Sequence, residues 1–331
     1  MRPAAIMVGA TNEQDMHDDL TRRKIFWLLQ RLTSLAVWKA KHSAFRVFAS
    51  AYEAAAKTWP STDPVPLSAD HLTTIYEILS LYDKGLIELS KGNRFVWRKG
   101  QALALVLKQY NYLASHFYQH PAYWDRGGQV APYPPAVDAL ARLMRASEYR
   151  LEQAPVEVWG TDHNVAQLQS ASALLNPEKY NYRFYELVYP VFPDALPEVP
   201  DPSAPVIQSG QNVPFAGIWE PVSVEQSRVF GTIPLGGKLF TNSGCFNYLI
   251  DDTAAPNLIA VDPVTSDVKV KPVQWRLLWE DTRYRDGVIP DESQYFQKLS
   301  ETPDTADSLT VAPVRTGEVC PVSGEWRTEE R

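Results

Sequence analysis

His116 and His120 stand four residues apart in a stretch of helical periodicity, a spacing that sets both imidazoles on one helix face, as metal ligation requires. A chelate needs a third protein ligand, and Phe117 follows His116 where the zinc-protease pattern needs Glu. Close to a helix C-terminus, two histidines also suit the negative end of the dipole as structural residues. Gly231, Gly236, Gly237 and Lys238 approach a phosphate-cradling loop. There Gly237 takes the lysine position and Leu239 follows Lys238 where a hydroxyl is needed, so a hairpin turn is the better reading. Cys245 follows Asn242-Ser243-Gly244 at the entry to an apolar strand, where a small buried thiol is far commoner than a nucleophile.

Three acidic pairs could supply a general acid and base: Asp251-Asp252, Glu280-Asp281 and Asp291-Glu292. Each has a structural alternative. Neighbours on a strand point to opposite faces, so Glu280 and Asp281 do not easily assist each other. Asp251 and Asp252 read as a turn after a strand. Asp291 and Glu292 read as the first turn of a helix led by Pro290, where the dipole favours negative charge. A hydrolase using a carboxylate or the His116/His120 pair between two parts of the chain is the alternative reading. A third is a glycan- or peptide-binding module using Tyr180, Tyr182, Phe184 and Tyr185.

The densest mixed-charge run is Glu280, Asp281, Arg283, Tyr284, Arg285 and Asp286, followed by a turn at Asp286-Gly287. It follows Val273, Trp275, Leu277 and Trp279, which alternate with other residues at the strand period and place Trp275 and Trp279 on one core-facing side. A strand anchored by two tryptophans beside charges of both signs suits recognition of another protein better than covalent chemistry. These six residues are the candidate partner-binding set, with local surface salt bridges as the alternative.

The elements that carry these residues divide in two. Apolar residues at helical spacing run from Ile25 through Leu35 to Tyr52, stopping near Trp59-Pro60. A second helix follows Ser68 as N-cap, carries Leu72 to Tyr82 and ends at Lys84-Gly85. After a turn at Lys91-Gly92-Asn93, further helices cover Leu103 to Phe117, Val137 to Met144 and Val165 to Leu175. Six prolines between Pro190 and Pro205 make a stiff extended connector. Beyond it, short strands are predicted at 217–222, 228–233, 246–250, 268–270, 273–279, 309–314 and 325–328. The fold class is therefore α+β, with a helical domain over 1–189, a connector over 190–205 and a β-rich domain over 206–331.

The 331 residues are 45% hydrophobic and 21% charged, enough to bury a sizeable core. A net charge of -7 argues against binding a phosphate backbone and suits a basic partner. Two cysteines make no disulfide framework, and the opening residues fall short of a secretory leader, so a cytoplasmic location is expected. No apolar run is long enough to span a membrane.

Two elements carry a family resemblance. One is Asn247-Tyr248-Leu249 with Ala255-Pro256; the other is Trp275 to Asp281 with Arg283-Tyr284-Arg285-Asp286-Gly287 and Ile289-Pro290-Asp291-Glu292. Together they resemble bacterial immunity proteins of families 71 and 72, the cognate inhibitors of polymorphic-toxin and type VI secretion systems. The ending from Gly317 to Trp326 is similar to a terminal Cys-Pro element that accompanies them. The resemblance implies a protein that is not an enzyme, needs no cofactor or metal, and binds and blocks a toxin. With an acidic inhibitor the natural target is basic, and nucleases are the obvious class.

Overall fold

The computed structural model describes residues 16–58, 67, 69–117, 135–147, 170–177, 181–182, 185–186, 189–225, 228–229, 233–234, 239–261 and 268–296. Among the described residues six helices come first: α1 (Asp19–Leu32), α2 (Leu35–Thr58), α3 (His71–Ser90), α4 (Ala102–Phe117), α5 (Pro135–Arg145) and α6 (Ala171–Leu175), with a 3-10 turn at Arg94–Trp97. Asp18 caps α1 by accepting the Thr21 amide at 2.8 Å. Periodicity alone runs unbroken from Ile25 to Tyr52, yet the chain breaks at Thr33-Ser34. Ser34 Oγ accepts the Val37 amide at 3.3 Å and starts a separate helix. The break matters because it opens the carbonyl end of α1 beside the amide end of α2.

α3 begins after Asp70, and Ser68 lies outside the described residues. The expected stop at Lys84-Gly85 does not occur: α3 continues to Ser90. Gly85 is there because Leu103 of α4 packs where its Cβ would stand, so this glycine marks a helix contact and not a helix end. α3 lies between α2 and α4, and α5 closes on α2. Trp38, Phe45, Tyr82, Trp97 and Tyr110 fill the space between them.

The described strands that follow are β1 (Asn181–Tyr182), β2 (Tyr185–Glu186), β3 (Ser203–Gln208), β4 (Gly217–Glu225), β5 (Arg228–Val229), β6 (Ile233–Pro234), β7 (Leu239–Asn242), β8 (Asn247–Leu249), β9 (Leu258–Val261), β10 (Val268–Lys271) and β11 (Gln274–Glu280). The main sheet runs β3-β11-β4-β7, all antiparallel, with β8 pairing the opposite end of β4 from β7. Helices in the N-terminal half and an antiparallel sheet in the C-terminal half make the fold α+β. Before the sheet, Phe192 in the Pro-rich stretch lies on Trp27 of α1 with ring centroids 5.3 Å apart. β3 starts inside that stretch. It tolerates Pro205 because it is an edge strand, and the ladder to β11 is irregular there.

The alternation on β11 does not run as its sequence suggests. Pairing with β4 shifts between Leu277 and Trp279, so Leu278 is an inserted bulge residue. Trp275 and Leu277 face a small core with Trp219, Leu249 and Val273. Leu278 and Trp279 face the helices instead, and Trp279 meets Phe26 of α1 edge-on at 6.2 Å. The two tryptophans therefore serve opposite faces of the sheet, contrary to the expectation of one shared face. Gly217 makes the bulge possible, because a Cβ there would collide with the Trp279 carbonyl oxygen.

Ile218, Phe246, Tyr248 and Leu278 join the helical residues in one continuous core. Strands predicted at 309–314 and 325–328, the Gly236-Gly237 turn and the Gly317–Trp326 element lie outside the described residues.

Candidate partner interface

Asp281 follows β11 directly and is fully buried. Arg283 grips it with two side-chain nitrogens, Nε to Oδ1 and Nη2 to Oδ2, both at 2.8 Å. Arg94, also buried, donates from Nη2 to Oδ1 at 2.9 Å, and the Tyr248 hydroxyl donates to Oδ2 at 2.8 Å. Burial alone would raise the Asp281 pKa, but the charges of Arg283 and Arg94 and their hydrogen bonds hold it below the usual carboxylate range. Tyr248 is pushed well above its ordinary value by burial and by the neighbouring Asp281 charge.

The same arginines reach the frayed end of α1. Arg283 donates to Gln30 O at 3.0 Å and to Thr33 Oγ1 at 2.7 Å, and Arg94 donates to Thr33 O at 3.4 Å. Cations at the carbonyl end of a helix complement its dipole. Tyr284 and Glu292 serve the amide end of α2: the Leu35 amide donates to the Tyr284 hydroxyl at 2.8 Å, and the Ala36 amide to Glu292 Oε2 at 2.7 Å. The Tyr284 hydroxyl in turn donates to Glu292 Oε1. Tyr284 adopts φ +69°, a left-handed conformation held by those side-chain bonds. Gly92, at φ +84°, lets the turn after α3 lie against the Arg285 backbone, which stands 2.8 Å from where its Cβ would be.

The expected helix start at Pro290 is corrected by this geometry. The helical turn there is a 3-10 turn at Ser293–Phe296, and Asp291 precedes it, accepting the Ser293 amide at 2.9 Å. Glu292 caps α2 and not its own segment. No periodicity could announce that, since its partner lies more than 250 residues away in the chain.

The six candidate residues divide by exposure. Asp281 and Tyr284 are buried, and Arg283 is mostly so. Glu280, half-exposed, pairs with exposed Arg285 at 2.7 Å, and Asp286 lies on the surface, where its Oδ1 accepts the Val288 amide. A second joint crosses the molecule at Glu220 of β4, which accepts from Arg22 of α1 at 2.8 Å and from Arg276 of β11 at 2.5 Å. Burial would raise Glu220, but hydrogen bonds from Arg276, Arg22 and Asn242 bring it below its ordinary value. Arg98 pairs with Asp251 at 2.9 Å. Arg94, Arg22 and Glu220 escape the sequence reading, and Tyr248 enters it only within the Asn247-Tyr248-Leu249 element. Lone charged residues inside apolar runs were the only signal available.

Among the described residues the catalytic candidates receive no matching geometry. Cys245 is buried, and burial pushes its thiol up, away from the reactive form. The His116 side chain and His120 lie outside the described residues. Among the described residues no group of three or more His, Cys, Asp or Glu is placed to hold a metal ion.

The family model described as Immunity protein 71 matches residues 16–124, and that described as Immunity protein 72 matches residues 198–297. The first match spans the helices that supply Arg94 and the α1–α2 junction; the second spans the sheet and the Asp281–Glu292 segment. The chain belongs to the immunity proteins of polymorphic-toxin systems. Its function is to neutralise a toxin, and the partner of such an immunity protein is a cognate toxin. These families are in general inhibitors without catalytic activity, and nothing favours a hydrolase. No curated protein and no solved structure matches the chain. No described helix of this immunity protein is long and apolar enough to cross a membrane.

Proposed function

We propose that this immunity protein works in the cytoplasm, as an inhibitor without chemistry of its own, by occluding a basic effector delivered by a type VI secretion system. A nuclease is the preferred toxin class. The observation that carries the reading is the pair of immunity-protein matches on both halves of the chain. The net charge of -7 supports a basic partner, since opposite charge raises the rate of encounter with a toxin present in trace amounts.

Within the candidate set, Glu280, Arg285 and Asp286 would contact the toxin directly. Asp281, Arg283 and Tyr284 hold the turn that presents them. A stable complex buries on the order of 1,600 Å² in total, so this turn is one part of a larger face. The domain division proposed at 189 and 206 gives each half a role: the helices brace the turn and the sheet carries it.

The test is co-expression with the toxin encoded directly beside the gene. The wild-type chain should restore growth and co-purify with the toxin. An Asp286→Lys variant that folds normally should bind more weakly. Growth arrest despite full expression of the wild-type chain would remove the proposal, as would turnover of a substrate by the isolated protein.

A further inference from the structure

Beside the charged turn the surface changes character. Val288 is 62% exposed, Ile289 48% and Phe296 40%, three large apolar side chains within nine residues. Isolated exposed apolar residues need no explanation, but a cluster does. Ile289 and Phe296 border a groove of about 260 Å³ whose other wall is Ala36 and Lys39 at the start of α2. We propose that this groove is the anchor socket for the cognate toxin, receiving a bulky apolar side chain from a toxin loop that carries Lys or Arg on either side of it. The inference rests on the inhibitory reading above and specifies its contact.

Three observations point to that occupant. The groove is preorganised: Glu292 in its lining is bonded to the Ala36 amide and to Tyr284, so little conformational freedom remains to be lost there on binding. Its rim is acidic. Asp286 and Asp291 flank Ile289 in sequence, and each uses Oδ1 to hold a local amide, at 2.9 Å in both cases. The Ser293 side chain also bonds to Asp291, while among the described residues Asp286 Oδ2 is left for a partner's cation. Its Ile289 wall also lies only three residues beyond Asp286 in the chain, next to the turn that carries Glu280 and Arg285. An apolar centre with a charged rim is the usual anatomy of a high-affinity contact.

The experiment uses the full chain and a catalytically inactivated form of the toxin encoded beside it, titrated calorimetrically. Ile289→Asp should weaken binding by at least about 30-fold with an unchanged circular dichroism spectrum. Phe296→Ala, which adds no charge, should weaken it in the same direction and serves if the first variant fails to fold. Ile87→Asp, at an exposed apolar residue on α3, should bind like the wild type. Binding by Ile289→Asp and Phe296→Ala within about threefold of wild type would overturn the socket while leaving inhibition intact. A wild-type dimer that Ile289→Asp dissociates would overturn it too, because the groove would then belong to a second copy. Failure of the wild type itself to bind or protect is a different result, which overturns the pairing and the socket with it.

Discussion

Asp281 shows how misleading a charged residue can be when read from sequence. It sits in the most charged run of the chain, yet two arginines and a tyrosine enclose it completely. Removing one partner of such a cluster leaves uncompensated buried charge, which commonly costs about 3–5 kcal/mol. Asp281→Asn should therefore unfold at markedly lower urea concentration than wild type. The pH dependence has a fixed sign. The folded-state pKa of Asp281 lies below its ordinary value, so its contribution is fully present above the unfolded value, near pH 4, and is lost as pH falls through the folded value. Wild-type stability should drop on acidification below about pH 4, and Asp281→Asn should show a shallower drop. Parallel pH profiles for the two proteins would deny Asp281 this role. The charged run itself was legible in the sequence. Its division into buried and exposed members was not, because that depends on Arg94 and Tyr248, which are distant in the chain and carry no local sign of pairing with Asp281.

At the scale of elements, helical periodicity placed α4 and α5 well, and strand periodicity found β4, β8, β10 and β11. The errors share one cause: an alternation or a glycine has two meanings locally, and a distant contact chooses between them. Gly85 reads as a helix stop but serves a helix contact. Trp275 and Trp279 read as one face until the inserted Leu278 separates them. β3 was missed because prolines read as a connector, while an edge position makes Pro205 harmless. The bulge supplies a direct test. Gly217→Ala would drive a methyl group into the Trp279 carbonyl, and only a backbone shift relieves it. Overpacking of this kind costs about 3 kcal/mol when the obstacle cannot rotate away. The variant should lose that much stability in denaturant unfolding and should lose the near-ultraviolet signal of packed tryptophans with it. A midpoint within error of wild type would mean that the sheet absorbs the change.

At the scale of the molecule, the division into a helical and a β-rich half is plain in the sequence, while their mutual dependence is not. The described residues up to Phe296 belong to one compact unit, and one core runs from Trp38 and Phe45 to Ile218 and Phe246. Ionic joints cross the same boundary, among them Arg94 with Asp281, Arg22 with Glu220 and Arg98 with Asp251. Opening the boundary would break these hydrogen-bonded pairs and expose the apolar face of each half to water. The halves should therefore unfold together. Far-ultraviolet circular dichroism, dominated by the helices, and fluorescence from Trp219, Trp275, Trp279 and Trp326 in a variant with the N-terminal tryptophans replaced by Phe should trace coincident urea transitions. A chain ending at residue 189 should fail to fold alone and should be recovered in soluble form when co-expressed with residues 190–331. If the shorter piece folds alone with native helix content and a cooperative transition of its own, the joints are accessory. The turn that carries Asp286 would then owe its position to the sheet and not to the helices beneath it.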